Sequence, residues 1–322
     1  MRLVQPDPAT AVLGLRALKM VASASGPIGP SQRAVMEAAK RVILRIDADI
    51  DALPAITPAE LAAGFPASEL RRQFVNGLLV VAIADGPPSR EAVDRIASFA
   101  KALGVSATEV TDLRRLSEHS MLLFKADFLR RSQVGGIMRD QLEQHGLIGL
   151  VKSVLGMRGL LEDKALAARY RAWEKLPPES LGHSLIAFYD KNGFSLPGER
   201  GGFPEAGLYH DFCHVLGGYG TEPEGEVQVA AFSAGFMRER PFYLILFSLL
   251  IYSSGINMRP TADGFTTVGV LGKPGVAERM FAAIERGAQV TLDLSDKWDY
   301  WSCVELPVDE VRRRFNILPS AV

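Results

Sequence analysis

The chain has 322 residues, more than one compact domain usually holds, so two units are expected. Hydrophobic residues make up 48% and charged residues 23%, with a mean hydropathy of +0.10, which excludes a chain dominated by disorder. Lys and Arg (36) balance Asp and Glu (37), leaving no clustered positive field, so nucleic acid is not an expected partner. Two cysteines, Cys213 and Cys303, belong to no CxxC pair and indicate neither a disulfide framework nor a four-thiolate zinc site, as fits a reducing cytoplasm. The start, MRLVQPDPATAV, lacks the basic, apolar and small-residue zones of a secretory signal.

From about residue 10 to 131, apolar residues recur at three and four, as in Leu15, Leu18, Val21 and Ala22, and predict helices. GPIGP (26–30), Pro54, Pro58, Pro66 and DGPP (85–88) divide them into about six short ones. Two stretches look alike. LKMVASASGPIGPSQRAV (18–35) and LLVVAIADGPPSREAV (78–93) share an apolar helix end, a Gly turn and a new helix start, the mark of an internal duplication.

This half resembles the tellurite-resistance TerB-like helical domains, in which two such turns carry acids able to hold a divalent ion. The second turn keeps Asp85 and Glu91, while Ser25 and Gln32 stand in the first where acids would be expected. A hard cation such as calcium wants about six to eight oxygens, so Asp85 reads first as a turn residue and Glu91 as a first-turn helix charge.

Residues 132–164 open with Gly135 and Gly136 and form the expected joint. Leu147, Ile148, Leu150, Val151, Val154 and Leu155, with scattered basic residues, describe either a bundle helix or one lying on a membrane surface. Residues 165–322 form the second expected unit. Pro177 and Pro178 stop one helix, with Glu179 or Ser180 at the start of the next. The greasiest run, residues 242–252, is about half the roughly 20 residues of a spanning helix, and is expected as a buried helix or part of a lipid-facing cavity. Helical patterns return at 276–290 and 308–317, and only VTLDL (290–294) alternates as a strand would. The expected class is all-α, with two helical bundles in tandem.

Residues 209–226 read YHDFCHVLGGYGTEPEGE. A helix turns about 100° per residue, so His210 and His214 share a face with Asp211 at its edge, and Gly217, Gly218, Gly220 and Pro223 then break the helix. A following helix with Glu226 near its start can bring that acid back to the two imidazoles. Taken singly, His210 reads as a surface residue, His214 as a hydrogen-bonded core histidine and Glu226 as a helix N-terminal charge. Taken together they form a ligand set. Two neutral imidazoles and two carboxylates neutralise one divalent ion, zinc first, with iron or manganese as alternatives. Cys213 points away from this face and is expected to pack.

The pattern HDxxH, eleven residues, then Glu resembles the signature of the Coq-four family of ubiquinone (coenzyme Q) biosynthesis proteins. Further likeness lies in LPPESLGHSLIAFYDKNGFS (176–195) and WDYWSCVELPVDEVRRRFNI (298–317), with Val308 after Pro307 as a departure. The resemblance implies a metal held by His210, Asp211, His214 and Glu226. It also implies removal of a ring carboxylate, with hydroxylation at that carbon, from a polyprenylated aromatic lipid. Other quinone-biosynthesis enzymes, a membrane surface and a second copy of the chain as homodimer are the expected partners. The expected location is cytoplasmic, peripheral on the inner membrane face. An open metal position suits such a substrate, and Phe232, Phe236 and residues 242–252 are candidates either for a cavity around its tail or for plain core. His183, Arg200 and Tyr300 are candidate orienting groups without a predicted place. Competing expectations are a lipid-binding scaffold stapled by its metal and a TerB-like stress-response module without activity.

Overall fold

The computed structural model of the chain describes residues 1–65, 68–106, 108–132, 135, 161–258 and 265–320. The expected joint falls mostly outside these residues, and its apolar stretch 147–155 entirely so. Every extended regular element among the described residues is helical, and the only β pairings are the isolated bridges Ser180 with Pro307 and Ser254 with Val268. The fold is all-α. Residues 290–294 form no strand: Val290 N–H reaches Gly287 O at 3.1 Å, Thr291 N–H reaches Phe315 O at 3.0 Å, and Asp293 accepts from Arg238 N–H. Five alternating residues with no partner strand have nothing to pair with.

The described chain forms two compact units by contact, Arg2–Arg130 with Phe242–Glu285, and Met1 with Arg131–Pro241 and Arg286–Val322. The first contains α1 (Pro8–Ala22), α2 (Pro30–Ala39), α3 (Pro58–Gly64), α4 (Ser68–Ala82), α5 (Arg90–Ala102), α6 (Thr108–Ser117) and α7 (Met121–Arg131, but for its last residue). Asp7 caps α1 by accepting from Ala9 and Thr10, and Leu15, Leu18, Val21 and Ala22 are buried as their spacing predicts. The two turns are alike in the fold. Seven residues join α1 to α2 and seven join α4 to α5, and Gly26 and Gly86 hold φ of +154° and +143° at matching places. That common offset of 60 places Ser31, rather than Gln32, opposite Glu91.

Asp85 spends both carboxylate oxygens as a cap for the other repeat. Ser31 N–H donates to Oδ1 at 2.9 Å and Gln32 N–H to Oδ2 at 2.8 Å, so the carboxylate sits on the otherwise unpaired amides that start α2. Glu91 is an exposed first-turn acid of α5, whose cap is Ser89. Asp85→Ala is therefore expected to destabilise the protein by about 1–2 kcal/mol, read as a lowered Tm in thermal melts. An unchanged Tm would show that water replaces the cap without cost.

The greasy run lies in α12 (Pro241–Tyr252), whose residues from 242 onward belong to this first unit. It is buried on nearly every side, and Tyr243 hydroxyl donates to Asp112 Oδ2 at 3.0 Å. No described helix is long and apolar enough to cross a membrane.

The second unit contains α8 (Lys164–Arg171), α9 (Leu181–Asn192), α10 (Leu208–Gly217), α11 (Pro223–Phe236) and α14 (Val308–Phe315). A further helix, α13 (Val276–Gly287), ends here with Arg286 and Gly287. Ser180 caps α9 through His183 N–H, and Gly193 ends it with φ +67°. The closing segment grips the start of α9, with Leu181 N–H on Leu306 O and Gly182 N–H on Val304 O, both at 2.8 Å. The last carbonyls of α10, unpaired within any helix, are met by cations: Arg312 donates to Val215 O and Leu216 O, and Arg286 to Gly217 O. On its other side α10 presents Phe212 to Trp173, Trp298 and Tyr300.

Candidate metal centre

The helix α10 carries His210, Asp211 and His214, as the spacing predicts. His210 Nε2 and His214 Nε2 face each other at 3.2 Å, with the rings at 85°. One ligand atom from each of His210, Asp211 and His214 lies within 4.8 Å of the others. Gly218 ends the helix at φ +73°, and Thr221 donates to Asn192 Oδ1 at 2.9 Å, pinning the return turn to the end of α9. Gly225 must lack a side chain, because a Cβ there would stand 2.6 Å from the Gly220 carbonyl carbon. α11 then begins at Pro223, ahead of the expected start, with Glu226 in its first turn.

That turn brings Glu226 over both rings. Oε2 lies 3.5 Å from His210 Nε2 and Oε1 lies 3.6 Å from His214 Nε2. Four ligand atoms at bonds of about 2.0–2.1 Å and tetrahedral angles stand about 3.3–3.4 Å apart. The two imidazole nitrogens and the Glu226 oxygens thus have the spacing of one coordination shell, and the donor set fits a divalent ion of the zinc, iron or manganese class.

The surroundings set the proton state of His214. His214 Nδ1 lies 3.2 Å from Tyr219 O, which can only accept, so Nδ1 carries the proton and Nε2 presents its lone pair to the cluster. Burial and the neighbouring His210 push the His214 pKa down to about 4. Burial opposes charge on His210, but hydrogen bonding and charge from Glu226 outweigh it and raise its pKa. Burial raises Asp211, against the opposing pull of His210 and of Tyr189. Phe188 stacks on His214 at 5.3 Å and 25°, closing one face, while His210 and Glu226 keep side-chain exposures of 29% and 21%. One side of the cluster is shut and the other meets solvent.

Other expected residues lie elsewhere. Cys213 is fully buried, with burial pushing its thiol up to about 12, and it packs. His183 Nδ1 is 3.2 Å from Glu174 O, and Arg200 pairs with Glu162 at 3.0 Å. Tyr300 hydroxyl is 2.8 Å from Tyr170 hydroxyl, which donates to Glu205 Oε1 at 2.6 Å. Phe232 is buried against Tyr219 and Phe236. The residues that sequence reasoning missed are Tyr189, whose hydroxyl donates to Asp211 Oδ2, Phe188 and Tyr219. FYD (188–190) gave no local signal, since its helix meets α10 only in the folded chain.

Fold and site define an all-helical protein in which His210, Asp211 and His214 group on one helix and Glu226 of the next helix reaches both imidazoles. A scan against family models finds no match to this chain, and a search of curated proteins finds none either.

Proposed function

We propose that the protein binds one divalent metal ion through His210, Asp211, His214 and Glu226, and that it acts in ubiquinone biosynthesis on a polyprenylated aromatic precursor. The observation that carries the metal assignment is the set of three separations, 3.2, 3.5 and 3.6 Å, among His210 Nε2, His214 Nε2 and the two Glu226 oxygens. The pathway rests on the resemblance of the same four residues, with residues 176–195 and 298–317, to the Coq-four family. That reading expects the ring carboxylate to leave as carbon dioxide and a hydroxyl to take its place at the same carbon, a two-electron oxidation for which molecular oxygen is the second substrate and oxidant.

A bound ion would supply an electrophile for a ring carboxylate or phenolate. The chain's own residues prepare the place. His214 presents a neutral ring oriented by Tyr219 O, Phe188 keeps water from its face, and Glu226 and Asp211 balance the ion's charge. The half-exposed side, by His210, is where substrate would enter.

Elemental analysis of the purified chain, mass spectrometry of co-purified lipid and a turnover assay with a carboxylated quinone precursor test this together. Metal with turnover supports the enzyme. Metal and lipid without turnover support a scaffold whose ion ties α10 to α11, and neither metal nor lipid would remove both. Cells lacking the protein are expected to accumulate a carboxylated intermediate.

A further inference from the structure

A carboxylate can hold a cation through one oxygen or through both, and the choice changes the coordination number. In the second unit Tyr189, on α9, is 1% exposed, and its ring stands edge-on to Phe188 and Phe194 at 6.2 and 6.0 Å. That packing aims its hydroxyl at Asp211, where it donates to Oδ2. One oxygen of Asp211 is thereby engaged by a buried phenol, for which giving up the hydrogen bond is costly. Asp211 keeps a ligand atom within 4.8 Å of those of His210 and His214, and the oxygen that Tyr189 does not hold is the candidate for it.

We propose that Tyr189 is a positioning residue that makes Asp211 a one-oxygen donor and so fixes the coordination number of the ion. The proposal rests on the metal reading above and adds to it a residue outside the ligand motif. Tyr189 touches neither imidazole in this role. It acts through Asp211, as outer partners of ligating groups commonly do.

Its removal frees the second oxygen. In Tyr189→Phe the ring and its packing remain, Asp211 can turn to offer both oxygens, and the ion would gain one contact while losing fixed geometry. Cobalt(II) reports this directly, because its visible absorption is several-fold stronger with four ligands than with five or six. The full chain is titrated with cobalt(II), and zinc affinity is measured by competition against a chelator. Tyr189→Phe is expected to show a weaker, shifted visible band and a roughly ten-fold loss of zinc affinity, the low end for such partners.

The control is Tyr170→Phe. That phenol is also fully buried in the second unit, but it bonds to Glu205 and Tyr300 rather than to Asp211. Its cobalt band is expected to match wild type. A Tyr189→Phe band and affinity equal to wild type, or an equal change in Tyr170→Phe, would overturn the positioning role alone. If the wild-type chain takes up no cobalt, the metal centre fails and this role with it. Asp211→Asn, with a neutral side chain of the same shape, serves should Tyr189→Phe not fold. Because Asn has one oxygen, coordination through a single Asp211 oxygen predicts the same coordination number in that variant as in wild type, at lowered affinity, and a drop in coordination number from wild type would contradict it.

Discussion

His210→Ala and Glu226→Ala are each expected to strip the protein of most of its metal. Each removes one of the four proposed ligands, and the remaining three would no longer close around one point. Metal content by elemental analysis should fall from about one ion per chain to a small fraction in either variant, while the helical content by circular dichroism stays. The Glu226 variant carries the greater weight, because that residue alone brings in the second helix, reaching both rings at 3.5 and 3.6 Å. Full metal content in both variants would end the assignment. Acid should act in the same direction, since an ion must displace the proton that Glu226 helps hold on His210. A raised pKa means that the proton competes from above the usual imidazole value of about 6.5, so occupancy should fall as pH drops through that region. Retention of the ion at pH 5 would contradict this sign.

The second large effect lies where two backbones touch. Gly235, near the end of α11, and Gly287, the last residue of α13, meet within the second unit. A Cβ on Gly235 would stand 2.5 Å from Gly287 Cα and from Ala288 N, and one on Gly287 would stand 2.8 Å from the Phe232 carbonyl carbon. The obstacles are main chain, so no rotamer change makes room and the segments must separate. Gly287→Ala is expected to cost about 3 kcal/mol, a fall in Tm of roughly 5–10 °C. A Tm within a degree of wild type would mean that the two segments are not held this closely.

Much of the fold was legible because its causes are local. Pro and Gly at 26–30 and 85–88 punctuate helices wherever they occur, Ser180 caps because its hydroxyl reaches the amide three residues on, and His210 and His214 share a face because a helix has 3.6 residues per turn. The strand-like alternation at 290–294 was local too, and it became no strand, since a strand exists only against a partner.

By itself, then, the sequence determined the all-helical class, the two repeated turns and the first three members of the cluster. Tertiary structure decided what depends on chain segments far apart. It placed residues 242–285 with the N-terminal helices, turned Asp85 into a cap for the other repeat rather than a free ligand, and brought Tyr189 to Asp211 across 22 residues. The return of Glu226 stands between the two: the glycines permit the turn, but Thr221 on Asn192 and the contact of Gly225 with Gly220 select it. Local geometry fixes what lies within a turn or two of helix, whereas longer-range pairing depends on which surfaces best exclude water once all the helices compete for them.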